Sequence, residues 1–72
     1  MTELLILFPT TTQAMKMENQ NLSGRLVPVP SSVKAGCGFA WKTELCQEEG
    51  ITKWMKEQGV LWEKILKYDW GE

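Results

Sequence analysis

Near the start of the chain lies an unbroken apolar run, Leu4, Leu5, Ile6, Leu7 and Phe8, within a segment spanning residues 1–9. Successive side chains of a strand point to opposite faces of its sheet. An apolar residue at every position therefore predicts a strand in the middle of a sheet, with cover on both faces. Pro9 ends it. Thr10, Thr11 and Thr12 follow, with hydroxyls suited to capping a helix. The next pattern, residues 13–22, reads as a helix with a thin apolar stripe of Ala14, Met15, Met17 and Leu22, and Ser23 and Gly24 suit its C-terminal stop.

Residues 25–30 (RLVPVP) read as a short strand. Pro28 and Pro30 cannot donate ladder hydrogen bonds, so this strand belongs at a sheet edge. Residues 31–36 are small or polar and form a loop. In residues 37–43, Phe39 and Trp41 fall on one side and Gly38 and Ala40 on the other, the period-two signature of a strand. The second helix falls within residues 44–58, with Ile51, Trp54, Met55 and Gln58 on one face. Gly50 costs about 1 kcal/mol relative to Ala inside a helix, which favours a start after it. Gly59 is the stop. Residues 60–70 hold the last strand, centred on residues 64–68.

The order is β-α-β-β-α-β. That is an α+β fold, the ferredoxin-like sandwich: four antiparallel strands with two helices on one face. A β-α-β-α-β-β order would need a helix between Pro30 and Cys37, where too few residues stand. The 72 residues make one domain over 1–72. At this length only about 60% of the unfolded chain's surface is buried, so the core is small.

Composition narrows the chemistry. The hydrophobic fraction is 43% and the charged fraction 24%, which suits a globular chain. Eight Lys and Arg stand against nine Asp and Glu, a net charge of -1. A phosphate-binding surface needs a basic excess, so nucleic acid is not the expected partner. The longest apolar run falls far short of the roughly 20 residues that span a bilayer, and no signal-peptide pattern opens the chain, so the expected setting is cytoplasmic, with no membrane partner. There are no histidines, which removes His-based acid–base chemistry, Ser–His and Cys–His pairs and mixed Cys/His zinc sites. Cys37 and Cys46 are too few for a four-thiolate centre. No metal or cofactor is expected.

Topology places Cys37. It opens the third strand, at the end of the sheet where the first strand finishes and the first helix starts. With the parity of Phe39 and Trp41, its thiol faces the helices and points toward Thr10, Thr11 and Thr12 and the first amides of that helix. A helix N-terminus carries about half a positive charge, which favours a thiolate. Lys34 adds to this. Gly36 and Gly38 leave room for a bulky or charged sulfur adduct. The plain alternative makes Cys37 a small buried hydrophobe, the threonines a cap and Lys34 a solvated loop charge. Cys46 lies past the far end of the strand. An intramolecular disulfide needs Cα atoms within about 7 Å, while the strand from Cys37 to Thr43 alone spans about 20 Å, so Cys46 reads as packing filler, with a resolving role between molecules as the alternative. Trp41 and Trp54 fall on core faces, while Trp62 and Trp70 flank the last strand.

These segments resemble a known family. Phe8, Pro9 and Thr10 at the strand end, Thr12, Ala14 and Glu18 on the helix, the run from Arg25 to Pro30, and Cys37, Gly38, Phe39 and Ala40 are similar to a small bacterial domain family labelled selenium/sulfur carrier-like. The resemblance covers the chain from about Leu4 to Tyr68, and the P-x-P, loop, Cys-Gly segment is its most specific part. It implies that Cys37 holds sulfur or selenium as a persulfide or selenosulfide. It also implies donor and acceptor proteins as partners, with an associated sulfurtransferase-like carrier domain. One departure stands out: a basic residue commonly follows P-x-P in the family, and here Ser31 does, leaving Lys34 as the next cation.

Two readings follow. The first is a carrier rather than a conventional enzyme, using Cys37. The second is a non-catalytic interaction module, forming a homodimer or docking a partner through a helix-free sheet face with Leu5, Leu7 and Ala40, with Cys37 structural. A heavy-metal chaperone would need C-x-x-C, and an acylphosphatase an arginine, in the loop at Pro9 to Thr12; neither is there.

Overall fold

The apolar run becomes the central strand of the sheet, as its pattern predicts. The computed structural model describes residues 2–18 and 22–70. Its elements are β1 (Thr2–Leu7), α1 (Thr11–Glu18), β2 (Arg25–Pro28), β3 (Phe39–Thr43), a single 3-10 turn (Leu45–Gln47), α2 (Glu48–Gln58) and β4 (Lys64–Asp69). The four strands form one sheet in the order β2-β3-β1-β4, each neighbouring pair antiparallel. This is the ferredoxin-like arrangement. The prolines lie at an edge: β2 has one neighbour, and Pro28 stands opposite Phe39.

Register sorts the side chains into two layers. Leu4, Ile6 and Phe8 join Trp41 from β3, Ala14 and Met17 from α1, and Ile51 and Met55 from α2 in one buried cluster, so both helices pack on the same face. Leu5 and Leu7 point the other way and meet Ala40. Leu4 to Phe8 are all at most 1% exposed. Each such burial contributes about 1.5–3 kcal/mol, which makes β1 the keel of the domain.

The cover on the helix-free face comes from the chain between β2 and β3. Val29, Val33 and Ala35 pack on Leu5, Leu7 and Ala40. A turn is closed by the Val33 N–H donating to the Pro30 carbonyl at 2.9 Å. Ser32 Oγ and the Tyr68 hydroxyl of β4 share a hydrogen bond of 3.1 Å, so this flap reaches across the sheet. Beyond it the same face is polar: Lys42 Nζ lies 3.5 Å from Glu3 and 5.2 Å from the centroid of the Trp70 ring. Leu5, Leu7 and Ala40, expected on an open docking face, are thus buried within the chain.

Several boundaries differ from expectation, each for a local reason. The first helix starts at Thr11 rather than residue 13, because Thr10 takes the cap: its Oγ1 accepts from the Gln13 N–H at 3.4 Å. Residues 19–21 of the expected helix lie outside the described residues. Gly24, expected with Ser23 as the helix stop, packs on the end of β3. Its φ is +104° and a Cβ there would collide with the Lys42 carbonyl oxygen. Beside it the indole N–H of Trp41 donates to the Ser23 carbonyl at 2.9 Å.

β3 starts at Phe39, not Cys37, although the Val29 N–H still donates to the Gly38 carbonyl at 3.0 Å. α2 starts before Gly50, which falls in its first turn, where Glu48 and Glu49 complement the helix dipole. Gly59 ends α2 in the left-handed region at φ 73°, and the Val60 N–H closes back on the Met55 carbonyl at 2.9 Å. Trp41 is buried, Trp54 and Trp62 are half-buried against the helix-side core, and Trp70 is exposed. Among the described residues no helix is long and apolar enough to cross a membrane.

Candidate functional site

Three connecting segments converge where β1 gives way to α1. The first is the corner at Phe8, Pro9 and Thr10. The second is the return of the flap through Gly36 and Cys37. The third is the α2–β4 connection, Val60 to Glu63. Gly36 rests on Pro9 so closely that a Cβ would lie 2.5 Å from the Pro9 carbonyl oxygen and 2.9 Å from its Cα. Only glycine fits there without a shift. The Leu61 N–H donates to Gln13 Oε1 of α1 at 3.0 Å. The Glu63 N–H donates to the Leu7 carbonyl at 2.6 Å. Glu63 Oε1 accepts from the Gly36 N–H at 2.9 Å.

Cys37 sits on this junction. It is half-buried and packs against the helix-side core, which agrees with the parity argument. Its sulfur does not bond to a helix amide or a threonine hydroxyl. The thiol donates to the Phe39 carbonyl at 3.1 Å, two residues along its own chain. That bond uses the thiol proton. An ionised sulfur would face a carbonyl oxygen with no proton between them and would have to turn outward.

The other expected site residues divide clearly. Thr10 serves as the helix cap, and Thr11 and Thr12 are exposed in the first turn of α1. Lys34 is exposed on the flap, as is Ser31. The Gly36 amide is committed to Glu63, and its lack of a side chain serves the approach to Pro9 rather than an adduct. Gly38 fits the steric expectation better: a Cβ there would meet nothing within 4 Å. Glu63 is a residue of the junction that no sequence pattern marks. Nothing near it in sequence flags it, because its partners are Leu7 and Gly36.

Cys46 lies at the other end of β3, in the 3-10 turn. Both cysteines are free, and Cys46 is exposed. Its sulfur makes long hydrogen bonds, 3.9 Å to Glu44 Oε1 and 3.9 Å to Gln47 Nε2. Among the described residues no three Cys, Asp or Glu side chains gather as metal ligands.

Neither the curated proteins nor the solved structures contain a match to this chain. The model of one protein family does match, described as "Putative Se/S carrier protein-like", over residues 3–67. The matched span takes in the sheet except Thr2 of β1 and the last two residues of β4, together with both helices and the whole Cys37 junction. On that match the chain belongs to the Se/S carrier protein-like family.

Proposed function

We propose that this domain carries a chalcogen atom on Cys37 as a persulfide or selenosulfide and passes it between proteins. The observation that supports this reading most is the setting of Cys37 within the family-matched span. Of the two free cysteines, it is the one set among three segments of the chain, with an uncrowded glycine after it.

The chemistry needs no histidine. A donor thiol holding an outer sulfur, R–S–SH, meets the Cys37 thiolate. A new bond forms from Cys37 Sγ to the outer sulfur, and the donor's S–S bond breaks. The donor leaves as R–S⁻ and takes up the proton released by Cys37. The products are Cys37–S–SH and R–SH, with no net oxidation or reduction. Delivery is the same exchange in reverse sense: an acceptor thiolate attacks the outer sulfur and frees Cys37. Selenium follows the same balance in the outer position.

The resting thiol must leave the Phe39 carbonyl before it can attack. The next residue, Gly38, has open space where a Cβ would stand, so that position does not crowd an adduct. Lys34, on the same flap, supplies the cation for an anionic adduct in place of the basic residue that is absent at Ser31. Thr10, Thr11 and Thr12, with the open amides of the α1 N-terminus, supply a second favourable field at the same end. The partners are a chalcogen donor and an acceptor, one of them a sulfurtransferase-like carrier domain.

The test is transfer from a persulfidated donor protein to the wild-type chain, Cys37→Ser and Cys46→Ser. Loading is expected in wild type and Cys46→Ser and lost in Cys37→Ser. Undiminished loading of Cys37→Ser contradicts the assignment.

A further inference from the structure

Two contacts meet at Glu63, which the carrier chemistry leaves without a part. Its backbone N–H is bonded to the Leu7 carbonyl at 2.6 Å, at the end of the most buried strand. Its side chain crosses to the Gly36 N–H at 2.9 Å, one residue before Cys37. A carboxylate accepting from a backbone amide makes a stronger bond than a neutral pair. Its neighbour Leu61 is tied to Gln13 of α1, so the carboxylate stands on a segment anchored on two sides. Gly36 has Pro9 against it in turn.

We propose that Glu63 is the positioning residue of the cysteine loop. Its carboxylate holds Gly36 down on Pro9 and thereby keeps the Cys37 sulfur turned in toward the Phe39 carbonyl. The contacts stand by themselves, while their use in chalcogen transfer rests on the carrier reading. Breaking the tether frees the loop, and the thiol then spends more time outward. The negative charge has a second consequence. The carboxylate is bonded to the residue before Cys37, a separation on the order of the ~10 Å screening length of ordinary buffer, so it opposes anionic reagents more than neutral ones.

The experiment compares Cys37 alkylation by neutral iodoacetamide and anionic iodoacetate. It uses the full chain with Cys46→Ser as parent, then adds Glu63→Gln or Glu63→Ala. Glu63→Ala is expected to raise the iodoacetamide rate about fivefold, the weight of one lost hydrogen bond. Glu63→Gln keeps an acceptor oxygen but makes the weaker neutral bond, so its iodoacetamide rate should fall between those of the parent and Glu63→Ala. It removes the charge, so its iodoacetate rate should rise, and salt should shrink that gain. A folded Glu63→Ala chain reacting at the parent rate overturns the proposal, as does Glu63→Gln matching Glu63→Ala toward iodoacetamide. Should Glu63→Ala not fold, amide exchange at Gly36 in the parent decides: protection is expected, and exchange at the rate of an unstructured peptide overturns the tether. Failure of persulfide loading would remove the carrier reading and leave these outcomes unchanged.

Discussion

A cysteine lies beyond each end of β3, and the two sulfurs have opposite surroundings. Cys46 is exposed in a 3-10 turn, with hydrogen-bond contacts of 3.9 Å to Glu44 and Gln47, and lines a groove together with Leu45, Thr52 and Lys56. Cys37 is half-buried, hydrogen-bonded at 3.1 Å, and sits where β1, α1 and β4 are stitched together. Exposure alone would nominate Cys46 as the functional thiol. Construction nominates Cys37, because neighbouring positions are shaped around its loop at a cost in sequence freedom. Gly36 can be nothing larger, and Glu63 is set to reach it. A carrier that holds its resting thiol sheltered and exposes it to a partner limits reaction with adventitious electrophiles and oxidants, which an open cysteine does not.

The comparison can be broken at either end, and glycine substitutions give the largest effect. Gly36→Ala drives a Cβ into the Pro9 backbone, which cannot swing aside as a side chain would. Overpacking of this kind costs about 2–3 kcal/mol, or roughly 10 °C or more in Tm for a domain of this size. Thermal unfolding by circular dichroism measures it. Gly38→Ala, with open space at its Cβ, should lose less than about 1 kcal/mol. Equal losses at the two glycines would contradict the packing of the loop on Pro9.

The next effect is kinetic. In the resting wild-type chain Cys46 should alkylate several-fold faster than Cys37, because access and a free thiol govern the rate. Peptide mapping after short exposure to iodoacetamide reads both sites at once. A faster Cys37 would mean that its bond to the Phe39 carbonyl does not shelter it.

At the Cys46 end, Gly50 sits in the first turn of α2 with nothing near its Cβ. Gly50→Ala should therefore stabilise the domain, by about 0.5–1 kcal/mol, with Cys37 alkylation unchanged. The smallest effect is on the polar half of the helix-free face. Lys42→Gln removes the surface pair with Glu3 and should cost no more than about 1 kcal/mol, less in high salt. Denaturant midpoints resolve both changes.

Much of the architecture was legible in the sequence because it rests on patterns that act locally. The uninterrupted Leu4 to Phe8 run marked a strand covered on both faces, Pro28 marked an edge, and Gly59 marked a left-handed helix end. The nature of the second cover was not legible. A flap held by Val33 and Ala35 in a stretch of small and polar residues carries no periodicity, and its pairing of Ser32 with Tyr68 joins distant segments. The end of the sheet to which Cys37 belongs followed from topology and parity. Its hydrogen bond did not, since a carbonyl two residues away competes with any helix amide on the strength of proximity alone. Gly36 looked like room for an adduct and is instead a point of close approach, because the backbone opposite it is set by the corner at Pro9.

The central claim is that Cys37, and not the more exposed Cys46, holds the chalcogen. It is tested most directly by exposing the wild-type chain to a protein persulfide donor, then measuring intact mass and locating the adduct by peptide mapping under non-reducing conditions. The account expects one added sulfur on the peptide containing Cys37, removed by a reducing thiol. An adduct confined to Cys46, or none on either peptide while the donor is consumed, would contradict it.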